Sequence, residues 1–322
     1  MSRLELRPLG RTGDQVTTLS LGGCGLPRVS FAEGVATVQR ALELGINCFD
    51  TAPSYSRGVS QAILGVALEG RPEPHLVSTK VGNLAQRSRF RSPDALHTQL
   101  EENLRLLRRD CADIVLIHEA DHHYWWSDEP SDELFVDLES EPDVANAPVM
   151  QVLQEARAAG RCRYVGISGN SPDHLAHVLR AAGDAEVDVC LSALAYGLID
   201  RHIRGQLLPV ANERGTGIAL GGVFRRGRLA AIRPESLQTR PIWSSEMTPE
   251  EQERVPRLIE LQQESQLSLV ALTLRYLVGD RSIATILVGA ATPAEIEESV
   301  AAVQAGPLPP DLHQAVEDLG LQ

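Results

Sequence analysis

The sequence lacks the features of secreted and membrane proteins. Its first residues, Met1 to Arg7, contain no apolar stretch of the kind found in signal peptides. No apolar run approaches the roughly 18 residues that are needed to span a bilayer. The five cysteines are widely spaced and include no CxxC pair. These absences argue against a disulfide framework or a structural zinc, and we expect a location in the reducing cytoplasm.

Positive charge is also scarce. Lysine and arginine together number 30 against 43 aspartates and glutamates, which gives a formal net charge of −13 at pH 7. Such a surface repels phosphate backbones and anionic lipids, so we expect neither a nucleic-acid nor a membrane partner, but a small-molecule substrate. Hydrophobic residues are 43% of the chain, which is enough for a large core. Without a repeat or a flexible linker, residues 1–322 are predicted to form one domain.

Eight short apolar runs alternate with amphipathic helical stretches, as in βα units built around a parallel sheet. The predicted strands are residues 19–22, 47–50, 76–80, 114–118, 164–168, 187–191, 217–220 and 285–288. Ser92, Ser171 and Thr292 each precede a proline, which is typical of a helix N-cap. The pattern predicts a (β/α)8 TIM barrel. Before it, residues 4–8 and 15–18 predict a hairpin that closes the N-terminal mouth.

A long acidic connection follows the fourth predicted strand. Residues 119–143 contain ten aspartates or glutamates and no lysine or arginine. Loops of this length in a compact barrel are usually functional or disordered, and this one should lie on the catalytic face. Trp125 and Trp126 are therefore predicted to cover a bound substrate, with burial against the barrel rim as the alternative. His122 and His123 lie on the same loop, but adjacent histidines rarely give an ordered metal geometry, and we predict no metal site.

Four reactive side chains are predicted to meet at one mouth of the barrel. Asp50, Lys80 and His118 end the second, third and fourth strands, and Tyr55 follows Asp50 by five residues. Reactive groups of such barrels gather at the C-terminal ends of strands. Lys80 should lower the pKa of Tyr55 so that the phenol can act as a general acid or base, while Asp50 holds Lys80. His118 should donate a hydrogen bond to a substrate oxygen. This set suits proton transfer at a carbonyl or alcohol.

The segments around these residues resemble the aldo-keto reductase family. Gly45 to Tyr55 (GINCFDTAPSY) is similar to the family signature around its catalytic Asp and Tyr, 78–82 (STKVG) to its lysine segment, and 113–118 (DIVLIH) to its histidine segment. Later segments resemble the branch of L-galactose, L-fucose and D-threo-aldose dehydrogenases; these are GISG at 166–169, LS at 191–192, YG at 196–197, GGVF at 221–224 and ILVG at 286–289. The resemblance implies hydride transfer between a nicotinamide cofactor and a carbonyl or hemiacetal carbon.

The resemblance also implies which residues contact the cofactor across the barrel mouth. They are Gly23, Asp50, Ser168, Asn170, Ser192, Gly222, Phe224, Gly289, Glu295 and Ser299. Ser168 and Asn170 match the region that binds the nicotinamide amide, although the usual Ser-Asn pair is here Ser-Gly-Asn. Ala193 stands where many members carry glutamine, and Ser192 is a candidate substitute.

The segment after the last strand predicts which cofactor is used. Residues 289–299 contain no basic residue but include Glu295. The 2′-phosphate of NADP carries about two negative charges and needs cationic partners, so NAD is favoured. NADP stays possible because Arg225 and Arg226, after the seventh strand, are two cations that a phosphate could reach.

The sequence therefore predicts an NAD-linked aldose dehydrogenase. An NADPH-linked aldehyde or ketone reductase and a pyridoxal dehydrogenase share the same predicted site. Two other classes are a cofactor-binding sensor without turnover and a metal-dependent barrel hydrolase. The presence of all four catalytic residue types argues against the sensor, and loss of activity on chelation would support the hydrolase.

Overall fold

Eight parallel strands close into a barrel in the computed structural model, which describes residues 3–128, 131–183, 185–232 and 247–320. The strands are β3 (Leu19–Gly22), β4 (Cys48–Asp50), β5 (Leu76–Val81), β6 (Ala112–Ile117), β7 (Cys162–Gly169), β8 (Val189–Ala193), β9 (Gly217–Gly221) and β10 (Thr285–Val288). Each strand pairs with the next one along the chain, and β10 pairs with β3 to close the ring. The predicted (β/α)8 barrel is confirmed, and each predicted strand overlaps an observed one.

Helices surround the barrel on its outer side. They are α1 (Phe31–Glu43), α2 (Val59–Leu68), α3 (Pro93–Leu107), α4 (Pro148–Ala158), α5 (Pro172–Ala181), α6 (Leu207–Arg214), α7 (Pro249–Ser265), α8 (Leu269–Leu277), α9 (Pro293–Gln304) and α10 (Pro310–Leu319). Ser92 and Thr292 cap α3 and α9 with their hydroxyls as predicted. Ser171 does not cap α5, because its hydroxyl bonds to His174. Within the described residues, no helix combines the length and apolarity needed to cross a membrane.

An antiparallel hairpin of β1 (Leu6–Pro8) and β2 (Gln15–Thr17) precedes the barrel. Leu9 and Val16 are buried in the same cluster as the barrel-filling side chains. The backbone N–H of Arg11 donates to the carbonyl of Gly215, just before β9 begins, at 2.8 Å. The hairpin therefore lies at the N-terminal mouth, as predicted.

The alternation of side chains along each strand decides which residues reach the catalytic mouth. Cys48, Leu76 and Leu116 fill the barrel lumen, whereas their chain neighbours pack against the helices. Because side chains alternate with a period of two, Asp50, Lys80 and His118 fall on the lumen side at the C-terminal ends of β4, β5 and β6. The strands thus bring three ionisable side chains to one mouth.

Candidate active site

Lys80 and Asp50 form a buried ion pair at the mouth. Lys80 Nζ lies 2.6 Å from Asp50 Oδ2 and donates to the carbonyl of Thr51 at 2.9 Å, and the hydroxyl of Ser78 donates to Asp50 Oδ1 at 2.9 Å. Burial alone would lower the pKa of Lys80, but the carboxylate of Asp50 and the phenol of Tyr55 outweigh it, and the pKa is raised. Lys80 is therefore a charged ammonium at neutral pH. It is also the only lysine of the chain.

Tyr55 lies beside this ion pair. Lys80 Nζ is 5.0 Å from the centre of the Tyr55 ring, and the Tyr55 and His118 rings stand nearly perpendicular, with centroids 6.2 Å apart. Lys80 acts on the pKa of Tyr55 in the predicted direction, but the expected net lowering is not found and the pKa is raised. Burial raises the pKa of the phenol, Asp50 adds to the rise, and the opposing effect of Lys80 is smaller. Tyr55 therefore holds its proton at neutral pH.

His118 is a neutral imidazole. Its pKa is lowered to about 3, mainly by burial and further by the charges of Lys80 and His122. Its backbone N–H donates to the carbonyl of Val81, and its backbone carbonyl accepts from the indole of Trp125. His118 is thus placed as a hydrogen-bonding group, and it carries no positive charge near neutral pH.

Trp125 and Trp126 do not form an exposed lid. Their relative exposures are 0% and 6%. Both indole N–H groups donate to backbone carbonyls, that of Trp125 to His118 at 3.0 Å and that of Trp126 to Ala120 at 2.8 Å. The predicted substrate contact is therefore corrected: both rings pack beneath the loop that follows β6. The exposed aromatic ring of that loop is Phe135, at 37%.

The predicted contacts to the nicotinamide amide fall in different environments. Ser168 faces the lumen side, and its hydroxyl donates to the carbonyl of Ile117 at 3.1 Å, which leaves its lone pairs able to accept from an amide. Asn170 is exposed, with its backbone N–H donating to Asp121. Ser192 alternates with the lumen-facing side chains of β8, so it faces the helices, where its hydroxyl is buried without a hydrogen-bond partner among the described residues. This orientation disfavours a contact between Ser192 and the cofactor.

Glycines border the mouth where the strands end. A Cβ on Gly23 would lie 2.4 Å from the hydroxyl of Ser60, and one on Gly289 would lie 3.0 Å from Cys24 Sγ. Gly222 adopts a φ of +64°, which glycine takes readily at a tight turn. Phe224 is partly buried against the core. Gly23 and Gly289 therefore allow the strand ends to pack closely against Ser60 and Cys24.

A cation that the sequence did not indicate lies at the start of α9. Arg28, from the loop after β3, places its guanidinium 3.4 Å from Glu295 and 3.0 Å from the carbonyl of Gly289. Glu295 also accepts from the backbone N–H of Ala291 at 2.7 Å. The hydroxyl of Ser299 donates to the backbone carbonyl of Glu295 at 2.9 Å and so serves the helix itself. The segment after the last strand therefore has a cation beside it, Arg28, and that cation is paired with Glu295.

The two arginines after β9 differ in their surroundings. Arg225 is mostly buried and pairs with Asp200 and Glu251, so its charge is already balanced. Arg226 lies close enough to Glu119 to oppose the rise that burial causes in the pKa of that carboxyl. Both arginines have positive φ, as do Asn83 and Glu119 after β5 and β6. Strained backbone of this kind is concentrated at functional sites.

Comparison with known proteins agrees with this geometry. The model of the Aldo/keto reductase family matches residues 18–320, and the chain belongs to that family. It is 29% identical to L-galactose dehydrogenase of Arabidopsis thaliana, over 94% of this chain and 89% of that protein. It is 27% identical to pyridoxal 4-dehydrogenase of Microbacterium luteolum, over 92% of each.

A third relative and a solved structure extend the comparison. D-threo-aldose 1-dehydrogenase of a Pseudomonas species is 25% identical, over 83% of this chain and 82% of that protein. The holo form of an aldo-keto reductase from Bacillus halodurans superposes with a TM-score of 0.74 at 24% identity, covering 98% of this chain and 96% of that one. The protein is an NAD(P)-dependent oxidoreductase that acts on a small-molecule substrate.

Proposed function

We propose that this enzyme oxidises the hemiacetal or alcohol carbon of an aldose sugar with NAD, and that residues 1–322 act as one domain in the cytoplasm. The observation that carries the proposal is the convergence of Tyr55 and His118 on the mouth beside the buried pair of Lys80 and Asp50. This arrangement provides a transferable proton, a second hydrogen-bonding group and a fixed positive charge. An alcohol or carbonyl oxygen bound between Tyr55 and His118 would use all three.

The chain's own residues handle the proton in this proposal. A nicotinamide held near Ser168 and the glycines of the mouth would supply the hydride acceptor for oxidation and the hydride donor for reduction. Tyr55, as the phenolate, takes the hydroxyl proton during oxidation, and as the phenol it gives that proton back during reduction. The ammonium of Lys80 stabilises the phenolate, and Asp50 keeps the ammonium charged and in place. His118 donates to the substrate oxygen and orients it.

Sugar substrates are supported by two of the relatives, whose names are those of a galactose and an aldose dehydrogenase. The loop after β6 supports this class as well. Phe135 is partly exposed and stacks on His174, with ring centroids 4.7 Å apart and an interplanar angle of 23°. The loop begins at the C-terminal mouth, just after β6, and the exposed part of this ring offers an aromatic surface for the apolar face of a sugar ring. We therefore assign to Phe135 the substrate contact that the sequence had suggested for Trp125 and Trp126.

The preference for NAD is supported by what Glu295 binds. Its carboxylate accepts a backbone N–H at the start of α9 and pairs with the guanidinium of Arg28. A helix N-terminus with a nearby arginine is what a phosphate would use. The protein's own carboxylate fills that position, so a 2′-phosphate would meet a negative charge there. Ser168, Gly23, Gly222 and Gly289 complete the proposed cofactor contacts.

The test is a spectrophotometric panel of aldoses, pyridoxal and simple aldehydes, each with NAD+ or NADPH as appropriate. We expect turnover of an aldose with NAD+. Tyr55→Phe should lower kcat by roughly 10²–10⁴, the usual contribution of general acid–base catalysis, while cofactor binding stays nearly intact.

Tyr164→Phe is the matched control, because its hydroxyl bonds to Thr12 and Asp14 near the opposite mouth. Turnover of pyridoxal alone would replace the sugar proposal with the activity named for the Microbacterium relative. Wild-type turnover in Tyr55→Phe would show that Tyr55 does not transfer the proton.

A further inference from the structure

The imidazole of His118 can exist in two neutral forms, and only one of them suits the mouth. A neutral imidazole carries one N–H, on either Nδ1 or Nε2, and the other nitrogen is an acceptor. A hydrogen bond donated to a substrate oxygen needs the proton on the nitrogen that faces the substrate. A group that binds the opposite nitrogen therefore decides whether His118 can donate.

Asn83 binds one of the two ring nitrogens, Nδ1. Its side-chain Nδ2 lies 3.1 Å from His118 Nδ1. An amide NH2 group can donate hydrogen bonds but not accept them, so Nδ1 must present its lone pair. The proton of the ring is then on Nε2. We propose that Asn83 is a positioning residue that holds His118 in the Nε2–H form, an inference that rests on the donor role of His118 in the proposed function.

The backbone at this point selects asparagine. Asn83 has a φ of +54°, in the left-handed region that residues other than glycine rarely adopt. Asparagine is one of the few residues that tolerate this region, whereas glycine would tolerate it without providing an amide. The position thus combines a backbone conformation that glycine and asparagine tolerate with a hydrogen-bond donor that glycine lacks.

The segment before Asn83 is held from two sides. Gln99 of α3 accepts from the backbone N–H of Gly82 at 2.7 Å and donates to its carbonyl at 2.8 Å. On the other side, a Cβ on Gly82 would lie 2.6 Å from the ring of Trp125, whose indole donates to the carbonyl of His118. The ends of β5 and β6 are therefore fixed together, and the amide of Asn83 is aimed at His118 by buried groups although Asn83 itself is exposed.

The test compares two substitutions at this position. Asn83→Asp keeps the shape of the side chain but replaces the donor with an acceptor, which should pull the ring proton to Nδ1. Asn83→Gly removes the amide and keeps the backbone conformation. Asn212→Asp, on the exposed surface of α6, is the control for the added charge. Thermal unfolding of all three variants checks that the fold is kept.

The first measurement needs no substrate. Long-range ¹H–¹⁵N NMR spectra of the ¹⁵N-histidine-labelled protein distinguish the protonated from the bare nitrogen of each of the nine histidines, and His118→Phe assigns the signal. We expect Nε2–H in the wild type and in Asn212→Asp, a mixture of forms in Asn83→Gly, and Nδ1–H in Asn83→Asp. A wild-type ring protonated at Nδ1, or an unchanged form in Asn83→Asp, would overturn the proposal.

The second measurement is kcat/KM. Losing one neutral hydrogen bond should cost about 2- to 13-fold in Asn83→Gly. Losing the donor to the substrate oxygen should cost about 10²–10³-fold in Asn83→Asp. In a His118→Phe background neither change should have a further effect. If the NMR signals change as expected while kcat/KM does not, the tautomer assignment stands and the donor role of His118 in the proposed function fails.

Discussion

Replacing Glu295 with glutamine should change the cofactor preference of this enzyme. The substitution removes the negative charge at the start of α9 and frees the guanidinium of Arg28, which lies 3.4 Å from Glu295. Removing one unit charge about 4 Å from a phosphate is worth about 1 kcal/mol in a water-like medium. A charge-assisted contact from Arg28 adds up to about 1.5–3 kcal/mol, less here because 57% of that side chain is exposed. Together these effects predict about 10- to 100-fold tighter binding of NADP+.

Direct titration of protein fluorescence with NAD+ and with NADP+ measures the effect. The affinity for NAD+, which has no 2′-phosphate, should stay within about twofold, since surface substitutions are usually small in effect. Glu298→Gln, on the same helix, is the matched control. Adding Arg28→Gln to Glu295→Gln should abolish most of the gain, and the resulting double-mutant cycle isolates the contribution of Arg28. The gap between the two cofactors in the wild type should also narrow with added salt.

Two results would refute this reasoning. If the wild type already binds NADP+ better than NAD+, Glu295 does not govern the choice. If Glu295→Gln leaves the ratio of the two affinities unchanged, the 2′ position of the bound cofactor does not lie at the start of α9.

The remaining predictions concern the pH dependence of the reaction and the aromatic residues of the loop after β6. In the reduction direction, kcat/KM should be flat from about pH 5 to 9, because the pKa of His118 is lowered to about 3 and that of Tyr55 is raised above its usual value of about 10, so neither group titrates in between. Oxidation needs the phenolate of Tyr55, so its rate should rise with pH over the same range; a midpoint near 6.5 that vanishes in His118→Gln would contradict the assignment. Trp125→Ala should cost about 3–5 kcal/mol of unfolding free energy in urea because its ring is fully buried. Phe135→Ala should instead raise KM with less than about 1 kcal/mol of lost stability, and the reverse outcome would return the substrate contact to Trp125.

The strands and the placement of Asp50, Lys80 and His118 at their ends were predictable because local patterns determine them. Apolar runs of strand length recur between amphipathic helices, and the period of two then places Asp50, Lys80 and His118 on one side of their strands. That they meet at one mouth follows from the parallel order of the barrel. The roles assigned to these residues remain proposals, whereas the family and the fold are confirmed.

What the sequence did not predict depends on contacts between distant segments. Arg28 meets Glu295 across 267 positions, only because β10 pairs with β3. Trp125 is buried because Gly82 leaves room for its ring. The pKa of Tyr55 is raised because burial outweighs the charge of Lys80, and the extent of burial cannot be read from residue types. Helix α10 was not predicted, although Pro309 and Pro310 mark its start.

The identity of the basic residue at position 80 follows from the same geometry. Arg7 and Arg201 are also buried, and their branched guanidinium groups donate to several backbone carbonyls at once. Lys80 instead pairs with one carboxylate and one carbonyl beside a phenol, and its ammonium acts there as a compact point charge rather than a planar fork. All other members of the chain's 30 lysines and arginines are arginines, and the single lysine stands where the proposed mechanism needs a charge that stabilises a phenolate.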